Sequence, residues 1–353
     1  MSTAMPGSRT VIAADPRTDP RWNTLATDAQ GSIFTSPPWI RSVCDTYGFT
    51  PQARIATDAA GRPTDGFTWV PISDFRGDRL ISLPFSDRAE PLVADPAMWS
   101  SLVDDAMRHD APLTIRCLDG AVPTADARLV RAEEAAWHGT PLDVAVQDIY
   151  RSLSPATRRN IAAAERNGVY VDAVTGLDGL RAYHRLHVSL RKHKYRLLAQ
   201  PFAFFERIWQ EFSVRDGIVT LLARANGEPI AGAVYLVWND VVYYKFGASL
   251  ASALSLRPND AVAWAALRWA SERGLRLLDW GLSDLDQPGL VAYKRKWASQ
   301  ERRIVTLCSP SPSDDSDREL DGLLGELTRL LTDDAVPDEI TERAGSLLYR
   351  YFA

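Results

Sequence analysis

The chain has 353 residues, 46% hydrophobic and 24% charged, a balance ordinary for a globular protein and enough length for two domains. No apolar run is long enough to cross a bilayer, the opening MSTAMPGSRT lacks the apolar stretch of a secretory signal, and three scattered cysteines argue against a disulfide framework or a CxxC zinc site. The net charge of −5 hides blocks of opposite sign: residues 151–196 hold 10 basic residues against 3 acidic, 294–303 hold 5 against 1, and 313–343 hold 3 against 11.

Basic blocks of this kind suit phosphates, although charge runs also occur as solvated helix faces. The chain has 35 arginines but only 5 lysines, at positions 192, 194, 245, 294 and 296, all in the second half. Lysine differs from arginine in being able to change protonation state, so these positions are a pointer to chemistry.

In chain order, residues 1–20 are polar and proline-rich and are expected to fray. A helix is predicted over Pro37 to Tyr47, with Ser36 as N-cap, Pro37 at its first position and Gly48 just past its end. Strands are predicted at Gln52 to Thr57, Phe67 to Ile72 and Arg79 to Leu83, then a helix at Trp99 to His109, then strands at Leu113 to Leu118 and Ala127 to Ala132.

After Tyr150, Ser154-Pro155 opens a helix that Gly168 closes, followed by a strand over Val169 to Val174 and helices at Leu177 to Lys192 and Pro201 to Phe212. Asn226-Gly227 and Asn239-Asp240 join three strands, Ile218 to Ala223, Ile230 to Trp238 and Val241 to Gly247, into an antiparallel meander. A loop from Ala248 to Arg257 leads into a helix from Pro258 to Arg273, then a strand from Leu275 to Trp280. Residues 309–317 read as a Ser/Pro/Asp linker, and the acidic tail ends in SLLYRYFA, spaced for docking.

Meander, loop, helix and strand in this order resemble the core of the GNAT acyltransferases. SLSPATRRNIAAAERNGV, YYKFGAS, RPNDAVAWAALRWASERGLRLLDWGLSD and GLVAYKRKWAS, in that order, together with FTSPPWIRSVCDTYGF and RLISLPFSDRAEPLV, resemble the Fem-type, FemAB-like branch of that superfamily. The resemblance covers nearly all of 32–308. It implies an α/β (α+β) chain of two tandem GNAT-like domains, each a mixed, mainly antiparallel sheet flanked by helices. The expected bounds are 1–150, 151–309 with the donor site, and 310–353 as an acidic linker and docked helix. It also implies an acyltransferase that joins an acyl or aminoacyl group to a primary amine of a small metabolite, peptide-like natural product or cell-wall precursor; the alternatives are an acyl-CoA-dependent N-acetyltransferase and a non-catalytic protein that holds RNA or an amine on the same fold. The missing signal, span and disulfide framework make the cytoplasm the expected location.

Two departures bear on the donor. The loop before the helix at Pro258 reads GASLASALSLRPND, without the glycines that cradle the pyrophosphate of coenzyme A in many GNAT enzymes, and no coiled-coil hairpin is inserted as in cell-wall Fem proteins. The missing glycines and the basic blocks favour aminoacyl-tRNA over acyl-CoA as co-substrate, with no permanently bound cofactor.

Aminolysis of an ester or thioester needs a neutral amine, a polarised carbonyl and a stabilised oxyanion. The resemblance places Lys294, in YKRKW, beside the transferred carbonyl. Asp279 stands where it could take the proton of the attacking amine. Arg295, Lys296, Trp297, Asn259 and Arg302 are expected on the donor side. Arg158, Arg159, Asn160, Lys245, Tyr243, Ser283, Trp39 and Arg41 are expected on the acceptor side, with bidentate arginine suited to phosphate or carboxylate. His184 and His187 share a helix face, but no third ligand can be placed, so no metal site is expected. The expected partners are an amine-bearing small molecule or peptide and tRNA, with no DNA and no membrane span, and a monomer is favoured.

Overall fold

The computed structural model describes residues 9–28, 31–93, 95–309 and 315–353. The chain divides into two compact units: Met1–Ala135 with Arg302–Ser313, and Ala136–Glu301 with Asp314–Ala353. These bounds differ from the expected ones at 150 and 309.

The elements run β1 (Thr10–Ala14), α1 (Pro20–Thr27), α2 (Pro37–Tyr47), β2 (Gln52–Thr57), β3 (Pro63–Asp74), β4 (Gly77–Ile81), α3 (Pro96–Met107), β5 (Leu113–Leu118) and β6 (Val130–Pro141). They continue with α4 (Val146–Ser152), α5 (Pro155–Arg166), β7 (Tyr170–Val174), α6 (Leu177–Leu190), α7 (Phe202–Ser213), β8 (Ile218–Ala225), β9 (Glu228–Trp238) and β10 (Val241–Ser249). Then follow α8 (Pro258–Glu272), β11 (Leu277–Asp284), α9 (Pro288–Arg295), β12 (Gln300–Cys308), α10 (Asp315–Leu331) and α11 (Asp338–Leu348).

In the first unit the strand order is β1-β2-β3-β4-β5-β12, antiparallel except for the parallel pair β4/β5. β12 joins it by pairing Ile304 with Leu118 and Cys308 with Thr114. Phe67, Trp69, Trp99, Leu102, Ile115, Val305 and Leu307 form its core. The frayed segment expected over 1–20 is corrected: Thr10–Ala14 forms an edge strand on β2, and α1 starts at Pro20 behind an Asp19 cap. Residues 1–8 lie outside the described residues, as do 310–314 of the expected linker.

The second unit follows the order β7-β8-β9-β10-β11-β6. Its meander turns on Asn226 and Gly227 (φ 50° and 85°) and on Asn239 and Asp240 (φ 48° and 58°). Positive φ at both central residues matches the right-handed twist of a hairpin, which is why Asn, Asp and Gly stand there. Its core gathers Val219, Leu221, Tyr235, Val242, Ala266, Leu267, Leu278, Trp280 and Trp297. Among the described residues, no helix is long and apolar enough to cross a membrane.

One irregularity of this sheet matters most. β10 and β11 are paired in parallel only from Val241/Leu277 to Tyr243/Asp279, although β10 runs on to Ser249 and β11 to Asp284. β10 also carries a bulge against β9 at Lys245, between Tyr244 and Phe246. Beyond Tyr243 the two strands lose their shared ladder, and a bulge bends the strand that carries it.

Candidate active site in the second unit

A cavity of about 610 Å³ opens beside this break, large enough for a drug-sized ligand. Its walls include Ala233 of β9, Tyr244 and Gly247 to Ser249 of β10, Asn259 and Val262 of α8, Gly289 and Tyr293 of α9, and Lys194 and Tyr195 from a π-helical turn at Arg191–Tyr195.

The α8 end of the cavity is fixed by three contacts. Arg257 takes a left-handed φ of 63° and hands over to Pro258, which opens the helix without a side-chain cap. The Asn259 amide donates to Ser249 Oγ at 3.2 Å, and the Tyr293 hydroxyl donates to the Asn259 carbonyl at 3.1 Å. Buried Asp260, in the first turn, accepts from Lys296 Nζ at 2.5 Å, a carboxylate placed where the helix dipole favours it. First-turn amides of such a helix lack intrahelical acceptors and suit an anion.

Tyr244 forms the inner wall. A Cβ on Gly247 would lie 1.7 Å from its hydroxyl, so the ring occupies space that only glycine leaves open. Burial pushes the Tyr244 phenol up to about 12 and the Tyr293 phenol well above its ordinary range, so both stay protonated at neutral pH.

Lys294 is buried at 3% exposure on α9, unlike a solvated charge run. Its ammonium donates to the Leu282 carbonyl at 2.6 Å and stands 5.9 Å from the centre of the Tyr244 ring. Ser283, next along β11, is fully buried, with no hydrogen-bond partner for its hydroxyl among the described residues. Asp279 is also buried and takes the Gly281 amide on Oδ1 at 2.7 Å; β11 runs on to Asp284, past the Trp280 end expected for this strand, so Asp279 lies inside it. Tyr243, buried, pairs opposite Asp279 on the parallel ladder.

The other sequence candidates lie as follows. Lys296 sits over the Tyr293 and Trp297 rings. Trp297 packs in the core, stacked 6.3 Å from Trp280. Arg295 is exposed and clasps Glu301 at 2.7 and 2.8 Å. Arg158 donates to the carbonyls of Arg151 and Leu153, closing the end of α4, while Arg159 and Asn160 follow on α5. Lys245 stands in the β10 bulge, 5.6 Å from the Phe246 ring.

Arg302, Trp39 and Arg41 belong to the first unit. Arg302 is an exposed residue of β12. Trp39 is wholly buried, donating to Ser86 Oγ at 2.8 Å, and Arg41 donates to the Arg17 carbonyl at 2.6 Å. Of the sequence candidates, Asn259 lines the cavity, Lys294 and Lys296 lie behind its walls against the Tyr244 and Tyr293 rings, and the rest are distributed elsewhere.

Sequence reasoning missed Tyr244 and Tyr293, and with them Lys194 and Tyr195. Tyr293 adjoins Lys294, and Lys194 was one of the five lysines; both signals were present. Histidines 184 and 187 pack inside the unit: His184 Nε2 meets the Gln200 carbonyl at 3.0 Å, and His187 Nε2 meets Gln200 Oε1 at 2.7 Å.

Residues 151–295 match the family model described as an acetyltransferase (GNAT) domain. At the level of fold, the chain resembles a solved structure titled FemX, with 12% identity over 90% of this chain and 100% of that one, at a TM-score of 0.67. A C-terminal domain of a putative lysylphosphatidylglycerol synthetase from Agrobacterium fabrum aligns over 88% of this chain and 95% of its own, with 13% identity and a TM-score of 0.56. A tandem GNAT protein from the clavulanic acid biosynthesis pathway aligns over 87% and 100%, with 15% identity and a TM-score of 0.51. A sequence comparison with curated proteins gives no match. The fold is therefore that of FemX and of tandem GNAT proteins, and the cavity lies within the segment that matches the GNAT model.

Proposed function

We propose that the protein is an N-acyltransferase that forms an amide on a primary amine, with its acyl donor held in the cavity of the GNAT domain. The observation carrying this reading is the parting of β10 and β11 beyond Tyr243/Asp279, with the α8 N-terminus and buried Lys294 beside it. Parted strands and helix amides at one opening suit a flexible, partly anionic donor.

In the proposed reaction, the amine nitrogen attacks the donor carbonyl and forms the new C–N bond. The carbonyl electrons pass to oxygen and return as the bond to the tRNA ribose oxygen, or to the thiol sulfur, breaks. The Lys294 ammonium offsets the oxyanion charge, and the proton lost by the amine leaves through Asp279. No covalent enzyme intermediate is needed. Protonated Tyr244 or Tyr293 supplies a hydroxyl that can give the leaving group its proton.

The donor we propose is an aminoacyl-tRNA, supported by the Fem-like fold and the glycine-poor loop. A second reading, an acyl-CoA donor, is favoured by the 610 Å³ volume of the cavity at an uncapped helix N-terminus. Thermal melts of the full chain with coenzyme A, acetyl-CoA and charged total tRNA separate them. A ligand at about 100 times its Kd adds about 2.7 kcal/mol of stability. A shift with charged tRNA alone supports aminoacyl transfer, a shift with acetyl-CoA reverses the order, and no shift with any of them refutes the acyltransferase reading.

A further inference from the structure

The π-helical turn Arg191–Tyr195 contributes two walls of the cavity, Lys194 and Tyr195, and carries a dense cluster of positive charge. The acidic C-terminal segment meets that cluster. Lys192, 2% exposed, donates to the Val336 carbonyl at 2.5 Å and to Asp338 Oδ1 at 2.6 Å. Arg196 makes a two-pronged contact with Asp334 at 3.0 and 2.6 Å and a third to the Thr332 carbonyl at 2.8 Å, and His193 Nδ1 lies 2.9 Å from the same Asp334.

Lys194 is the exception. It has no hydrogen bond or carboxylate partner among the described residues; its ammonium stands 5.0 Å from the Tyr195 ring. The cavity walls contain no Asp or Glu, and Lys194 is the one charged residue among them. The remaining polar walls are Ser249, Asn259, Gln287 and three tyrosines. Contacts on both sides of Lys194 hold the backbone of the turn, so its exposed side chain starts from a fixed point on the cavity wall.

We propose that Lys194 is a specificity residue that recognises an anionic group, a carboxylate or a phosphate, on the molecule occupying this cavity. The proposal rests on reading the cavity as the donor's. The tail acts by holding the turn, so Asp334 and Asp338 are positioning residues for Lys194.

The test is calorimetric titration of the full-length protein with two matched pairs of probes: 4′-phosphopantetheine against pantetheine, and N-acetylglutamate against N-acetylglutamine. The wild type is expected to bind at least one charged probe about fivefold more tightly than its neutral partner, the scale of one partly exposed ion pair. The pair that shows the difference identifies the anion. K194Q should abolish the preference, K194R should restore it, and raising the salt to ~0.5 M should shrink it.

Gly289 lines the same cavity, and a Cβ there meets nothing within 4 Å, so G289F should fill the space without disturbing the fold. If G289F binds as the wild type does, the cavity reading fails. If G289F loses binding but K194Q keeps the charge preference, the Lys194 proposal alone fails. Absence of any charge preference in the wild type overturns it as well.

Discussion

Lys294 on α9 donates its ammonium to the carbonyl oxygen of Leu282 on β11 at 2.6 Å, tying the helix to the strand that has left its partner β10. The same ammonium faces the Tyr244 ring that lines the cavity. Lys294→Met keeps the length of the side chain and removes its charge. Transfer activity should fall about a hundredfold or more, as when an oxyanion-stabilising donor is removed. Stability should fall by about 1–3 kcal/mol, because the charged hydrogen bond from Lys294 to the Leu282 carbonyl is lost. Donor-induced thermal shifts should persist in this variant, and unchanged turnover would refute the catalytic role.

Thr140 serves two tryptophans at once. Its hydroxyl donates to the Trp297 carbonyl at 2.8 Å and accepts from Trp280 Nε1 at 2.9 Å, so one buried oxygen joins β6, β11 and the end of α9. Thr140→Val keeps the shape and removes both bonds. We expect a loss of about 2–4 kcal/mol in urea unfolding, and Thr140→Ser should recover most of it.

Acid should weaken the second unit through His187. Burial, aided by Arg191 and opposed by the Gln200 hydrogen bond, pulls its pKa down to about 3. The unfolded chain takes up a proton near the ordinary value of about 6.5 while the folded chain does not, so stability falls as pH drops from about 6.5 towards 3. At pH 5 the loss should be about 2 kcal/mol from this residue alone. His187→Gln should flatten the stability curve between pH 7 and 5; an unchanged slope would show that His187 is not the source.

Gly247 and Tyr244 should be energetically coupled. Gly247→Ala puts a methyl group where the Tyr244 hydroxyl lies and should cost about 1–3 kcal/mol by overpacking. The same change made on a Tyr244→Leu background should cost less than half as much. A double-mutant cycle in denaturant gives the coupling directly, and strict additivity would contradict the packing described here.

Local signals in the sequence proved dependable where one residue decides the backbone. Ser36 caps α2 through Trp39 N, Gly48 ends it at a φ of 72°, and both hairpins turn at the expected Asn-Gly and Asn-Asp pairs. Elements whose existence depends on a distant partner were harder to read. Thr10–Ala14 becomes a strand only because β2 offers it an edge, and the eight residues of α9 bury only Val291 and Lys294 amid exposed basic neighbours, a pattern too short to show a helical period. The site was half legible. Lys294, Lys296 and Asn259 stood in family-like motifs, whereas Lys194 and Tyr195 reach the cavity only because a π-helical turn, held by residues about 140 positions later, presents them there.

The return of β12 to the first unit has a consequence for synthesis. β5 is complete at Leu118, but the strand that pairs with its edge ends at Cys308, after the whole segment that matches the GNAT model has been made. At ribosomal rates of about 5–20 residues per second, the nascent first unit waits about 10–40 s with the β5 edge unpaired by its native neighbour. During that interval the newborn chain presents a ready template for wrong partners, so its yield in cells should depend on chaperone supply more than its finished stability would suggest.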